Sequence, residues 1–100
     1  NGVKTLVPLG ASADFFLVAA ELDTKGPQVF IVRPDLPGVT VEAAPAMGIR
    51  AASTCTLRFA DTPLTAADLL GGRVGGCNFQ EMIDLGRLAW CGLAVGTAQA

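Results

Sequence analysis

Residues 47–72 read MGIRAASTCTLRFADTPLTAADLLGG. Within this stretch Cys55-Thr56-Leu57-Arg58-Phe59 alternates apolar and polar side chains, the period of a strand with one buried face. The run stops at Asp61-Thr62-Pro63, a turn whose proline cannot donate to a strand ladder. Counted from Ala51 to Phe59, this is the longest strand candidate in the chain. A short extended or helical piece follows and ends at Leu69-Leu70-Gly71-Gly72.

Upstream, the pattern is strand, break, strand. Val3 to Val7 precedes a loop at Gly10-Ala11-Ser12, and Phe15 to Glu21 runs to a polar turn at Asp23-Thr24-Lys25-Gly26. Val29 to Arg33 then leads through Pro34-Asp35-Leu36-Pro37-Gly38 to Val39 to Glu42. Short strands punctuated in this way predict a mainly β fold, a small antiparallel barrel or sandwich. Phe15 to Ala20 and Val29 to Val32 are continuous apolar runs, which predicts cover on both faces.

Downstream, Gly71-Gly72-Arg73-Val74-Gly75-Gly76 reads as a flexible connection. It lacks the Lys-Ser/Thr ending of a phosphate-binding loop and the spacing of a dinucleotide fingerprint. From Asn78 a helix is expected, with Asn78 as N-cap and Glu81 three residues on as in a capping box. Beyond Arg87 it carries no charge, and Leu88 to Ala98 is apolar all round, which predicts burial among other helices. That segment falls short of the roughly 20 residues a membrane span needs. Gly92 and Gly96 accordingly read as points of close backbone approach in a bundle. The expected organisation is a barrel over 1–72, a Gly-rich linker over 73–77, and the start of a helical domain over 78–100.

One hundred residues with 51% hydrophobic content are enough for one domain with its own core. The net charge is -2 and the 7 basic residues are scattered, so neither a nucleic-acid backbone nor an anionic membrane is an expected partner. No histidine is present, which removes Ser-His-Asp and Cys-His chemistry and most zinc or iron sites. No metal ligand set is therefore assigned. Three widely spaced cysteines fit neither a disulfide framework nor a zinc site and point to a reducing, cytoplasmic setting. Cys55 and Cys91 read as small buried hydrophobes, and Cys77 as the exposed thiol. The chain starts without Met and stops inside a helical run, so a piece of a longer polypeptide is expected.

Several elements recur in a familiar order. They are Asn1-Gly2-Val3-Lys4, Ala13-Asp14, Val29-Phe30-Ile31-Val32 before Gly38-Val39, Met47-Gly48-Ile49-Arg50, and Ser53-Thr54. Leu57-Arg58-Phe59 with Asp61, then Asp84-Leu85-Gly86-Arg87, and last Gly92, Gly96 and Ala98 complete the series. Together they resemble the middle β-barrel domain of the acyl-CoA dehydrogenase family, running into the first helix of its C-terminal bundle. In that likeness residues 47–59 match the strand that closes the barrel, and residues 61–72 the exit toward the helices.

The resemblance implies FAD as cofactor and oxidation of an acyl-CoA thioester to its trans-2-enoyl form. It further implies an electron-transfer flavoprotein as acceptor, and a homo- or heterotetramer, or a dimer, built through the C-terminal helices. The flavin-contacting positions of the family fall on Leu6, Val7 and Pro8. An aromatic residue, an aliphatic one and a Thr or Ser usually stand there. Pro8 has neither a hydroxyl nor a backbone N–H, so two donors are missing at that point. The substrate-arm pair of the family falls on Asp84 and Arg87, one helical turn apart; an ion pair within the helix is the alternative role. Some branches carry the catalytic Glu where Gly86 stands, whereas most supply it from a downstream loop. No catalytic residue is therefore assigned within 1–100, and Glu21, Asp23, Asp35 and Glu42 read as solvated charges. The competing function is a non-catalytic, dehydrogenase-like subunit that completes a heteromeric assembly.

Overall fold

The computed structural model describes residues 1–23, 25–44, 47, 50–72 and 76–99. Among these residues are five strands and one α-helix: β1 (Gly2–Val7), β2 (Phe16–Leu22), β3 (Gly26–Val32), β4 (Val39–Ala43), β5 (Cys55–Phe59) and α1 (Phe79–Gln99). All strand pairs are antiparallel, in two sheets: β1-β5-β4 and the hairpin β2-β3. The mainly β fold with a C-terminal helix is as expected. The alternating run of the opening stretch is the central strand of the larger sheet, paired on both edges.

The strand that the sequence runs from Ala51 is shorter. Arg50–Ala52 forms a 3-10 turn, Ser53 takes a positive φ of 43°, and the ladder starts at Cys55. Alanines carry no strong strand preference, and here a local turn wins. It brings Ala52 O within 2.8 Å of Leu9 N. β3 begins earlier than its apolar run, at Gly26, because the hairpin register carries Gln28 and Pro27 into pairing with Ala20 and Glu21.

The core lies between the sheets. Phe16 and Val18 from β2, Phe30 and Val32 from β3, and Cys55 and Leu57 from β5 form one buried cluster. Each pair is spaced by two residues, the period that puts alternate side chains on one face. Register matches them: Phe16 opposes Val32 and Val18 opposes Phe30. Leu17 and Ile31 also oppose each other, but they point away from the cluster and are 55% and 38% exposed. The expected cover on both faces is thus partial on the outer one: Val29 is 1% exposed there, while the face is open at Leu17 and Ile31. Gly10 is buried against the cluster, and a Cβ there would overlap Cys55 Sγ, so no larger residue fits.

Between β5 and α1, Thr65 caps a 3-10 turn over Ala66–Asp68, with its hydroxyl accepting from Ala67 N and the Asp68 carboxylate accepting from Thr65 N. Leu69 then bridges to Phe30, and Leu70 N donates to Val29 O, so this segment runs along the edge of β3. Of the expected linker, residues 73–75 lie outside the described residues, as do Gly48 and Ile49 of the Met47-to-Arg50 motif. Gly76 N donates to Gly71 O at 2.9 Å. Gln28, 9% exposed, lies beneath Gly76, and its Oε1 has no hydrogen-bond partner among the described residues.

α1 begins where expected, with Glu81 N donating to Asn78 Oδ1 at 3.1 Å. Its expected burial is not seen. Leu88, Trp90, Leu93 and Val95 are each more than half exposed, because α1 packs mainly on β3 and no second α-helix lies beside it among the described residues. Cys91 is exposed for the same reason, and Cys77 is half-buried, the reverse of the order expected for these thiols. No helix among the described residues is long and apolar enough to cross a membrane.

Candidate functional site

β1 is an edge strand, and its end is irregular. Lys4 pairs with Leu57 and Val7 with Cys55, so β1 advances three residues while β5 advances two. The extra residue makes a β-bulge, a device that re-aims side chains and is frequent beside active sites. Leu6 takes a left-handed φ of 55° in the bulge, and Leu9, after the strand, one of 52°. Such a conformation costs an ordinary L-residue roughly 1–2 kcal/mol, and the surrounding bonds hold it. Leu9 N donates to Ala52 O, while Ser12 N and Ser12 Oγ both donate to Leu9 O at 3.0 and 3.1 Å. The turn at residues 50–52 therefore anchors the loop that follows β1.

The three residues predicted at the end of β1, Leu6, Val7 and Pro8, separate. Leu6 is 67% exposed, Val7 packs against the core cluster, and Pro8 stands exposed in the turn. Val7 and Pro8 border a groove of about 400 Å³ between the two sheets, where Lys4, Phe15, Leu17 and Leu57 also contribute. A second groove, of about 420 Å³, continues along the same seam between β1 and β2 and shares Lys4, Val18 and Ala19 with the first. Phe15 and Lys4 were not predicted as site residues. A charged residue two places before a bulge carries no local signal of its own, since the bulge exists only in the pairing of β1 with β5.

Asp84 and Arg87 meet on the exposed surface of α1. Arg87 Nη1 donates to Asp84 Oδ1 at 3.2 Å, and Gln80 Nε2 donates to the same oxygen at 3.0 Å. The pair is thus the intrahelical one that their spacing allows. Its side chains are 72% and 54% exposed, so it remains open to a further polar group. Neither residue borders the groove beside Pro8.

A bulged edge strand, two antiparallel sheets and a trailing helix define the class: a small antiparallel β domain running into a helix. The family model for the acyl-CoA dehydrogenase middle domain matches residues 1–62, and the chain belongs to this family. It is similar to mitochondrial isovaleryl-CoA dehydrogenase of Pongo abelii, 33% identical over 108 residues, covering 100% of this chain and 26% of that protein. An amino sugar nitrososynthase of Streptomyces rubradiris is 32% identical over 108 residues, again covering 100% of this chain and 26% of its own length. Among solved structures, an acyl-CoA dehydrogenase complexed with FAD from Bacillus anthracis superposes with a TM-score of 0.64 at 37% identity, over 70% of this chain and 12% of that one. The chain thus spans about a quarter of the length of the curated relatives it matches.

Proposed function

We propose that this chain is the flavin- and thioester-facing segment of an FAD-dependent acyl-CoA dehydrogenase that forms trans-2-enoyl-CoA. The observation that carries the reading is the bulged end of β1, an open strand edge beside exposed apolar side chains, within a segment matched to the middle domain. Leu6 and Phe15, 67% and 57% exposed, offer packing surface to a flat ring, and the unpaired edge of β1 offers backbone groups. Pro8 offers no donor. These residues fit a flavin held by packing and by the backbone of Leu6 and Val7, without a hydroxyl at position 8.

FAD, when bound, supplies the acceptor for the β-hydride. The part of this chain is to orient the ring at β1 and to keep water from the seam. Arg87 holds the polar arm of the acyl-CoA, its guanidinium donating to Asp84, whose carboxylate also accepts from Gln80. The general base is assigned to no residue of 1–100. The exposed apolar face of α1 supports assembly into a tetramer or dimer, with an electron-transfer flavoprotein taking the electrons. Three free thiols support a cytoplasmic setting.

A second reading rests on Pro8: a dehydrogenase-like subunit that has lost flavin binding and completes a heteromeric assembly. The visible spectrum of the full-length protein separates the two, taken alone and with a co-expressed homologous partner, before and after anaerobic addition of a panel of acyl-CoAs. A flavin spectrum that bleaches with one acyl-CoA supports the enzyme. A colourless protein that gains flavin only with its partner sinks that reading. Pro8→Thr restores one hydroxyl and one N–H, and should tighten FAD roughly fivefold, about one net hydrogen bond.

A further inference from the structure

Asn1 and Gly2 open β1 at the corner where β5 ends. Asn1 Nδ2 donates to Asp61 Oδ1 at 2.8 Å, and Asp61 N donates back to Asn1 Oδ1 at 2.6 Å, so the side-chain amide is gripped at both ends. Asp61 takes a φ of 48° to make this contact, while Gly2 pairs with Phe59. Asn1 and Gly2 are both exposed, and apart from its chain neighbours no atom of the described residues lies within 4 Å of where a Gly2 Cβ would be. An Asn followed by Gly is chemically the most exposed of amide junctions, because no Cβ hinders the next backbone nitrogen from reaching the side-chain carbonyl.

We propose that Asn1-Gly2 is a deamidation site whose rate is set by the Asp61 clamp. The Gly2 backbone nitrogen attacks Asn1 Cγ, the new N–Cγ bond forms as Cγ–Nδ2 breaks, and the Gly2 proton leaves with Nδ2 as ammonia. Water then opens the cyclic imide at either carbonyl to give aspartate or isoaspartate. The net change is amide plus water to acid plus ammonia, with no oxidant and no reactant other than water. The clamp opposes the first step, since Asn1 Cγ cannot turn toward Gly2 N without releasing both bonds to Asp61. Conversion places a carboxylate against Asp61 Oδ1 in place of a donor, and like charges at that separation repel. It therefore loosens the start of β1 at the mouth of the groove bordered by Asn1, Lys4, Glu21 and Thr62.

The test is peptide mapping of the full-length protein, aged in mildly alkaline buffer, with mass spectrometry resolving asparagine from its acid products at position 1. Asp61→Gly keeps the backbone conformation and removes the acceptor, and should accelerate conversion about five- to tenfold, the worth of one lost hydrogen bond. Asp61→Asn retains an acceptor oxygen and should stay near the parent rate. Gly2→Ala should suppress conversion in either background. Equal rates in the parent and Asp61→Gly, or undiminished conversion in Gly2→Ala, overturn the proposal. Should Asp61→Gly fail to fold, the parent in urea against the parent in buffer reads the same clamp, and equal rates there overturn it too.

Discussion

The hairpin β2-β3 and the helix α1 both carry long apolar runs, yet one is largely closed over and the other stands open. In the hairpin, alternate residues Phe16, Val18, Phe30 and Val32 seal against Cys55 and Leu57, leaving Leu17 and Ile31 outside. In α1, Leu88, Trp90, Leu93 and Val95 are all exposed. Hydrophobicity states only that a surface gains by leaving water. Which surface leaves depends on what is placed opposite, and β5 supplies that for the hairpin while none of the described residues does so for Leu88, Trp90, Leu93 and Val95.

The sharpest way to break this contrast is paired truncation. Leu57→Ala, at a site 2% exposed, should cost about 3 kcal/mol in urea unfolding of the chain, whereas Leu93→Ala, at 63% exposed, should cost under about 0.5. A loss at Leu93 comparable to that at Leu57 would show that α1 is covered, by self-association or otherwise. Next in size is Gly38→Ala. Gly38 has a φ of 80°, and a Cβ there would overlap Ala60 O, the neighbour of the clamp residue Asp61. Thermal unfolding should register a loss of more than about 1 kcal/mol, since strain and overlap act together.

Smaller again is Arg58→Ala on the solvent face of β5. Arg58 Nε lies 3.0 Å from Glu42 Oε2, with both side chains about half exposed. Solvent screening limits the exposed pair to at most about 1 kcal/mol, and the loss should shrink as salt is added. A salt-independent loss would mean that Arg58 packs rather than pairs. The smallest effect is electrostatic. The Asp68 carboxyl sits below its ordinary 3.8 because Thr65 donates to it, first through its backbone N–H and then through its hydroxyl. A depressed folded pKa means this cap contributes fully above 3.8, and its contribution is lost as the pH falls through the lowered value. An NMR titration should place the Asp68 midpoint below that of an unpaired aspartate, and Thr65→Ala should move it back up.

Much of the fold was legible where a local rule and a tertiary partner agree. The alternation Cys55-Thr56-Leu57-Arg58-Phe59 reads directly as a half-buried strand, and β5 buries Cys55 and Leu57 while leaving Arg58 out. The Asn78 cap was legible for the same reason, since its bond to Glu81 lies within one turn. Illegible features were those made by pairing across long separations. The bulge at Leu6 exists because three residues of β1 span two of β5, and nothing within Lys4-Thr5-Leu6-Val7 announces it. The turn at Arg50–Ala52, read as strand, is secured by Leu9, some forty residues away. Among the site residues, the spacing of Asp84 and Arg87 foretold that they would meet, but not that Gln80 would share the same oxygen.

By itself the sequence determined the element types, the strands and the helix with its Asn78 cap, and through its ordered motifs the family to which the chain belongs. Those properties rest on backbone preference, periodicity and residue order, all carried by neighbours in the chain. Only the tertiary structure decided which half of each apolar run is sealed, where β1 bulges, and that Asn1 is gripped by Asp61. Each depends on an apolar face, a ladder register or a hydrogen bond supplied by residues remote in the chain.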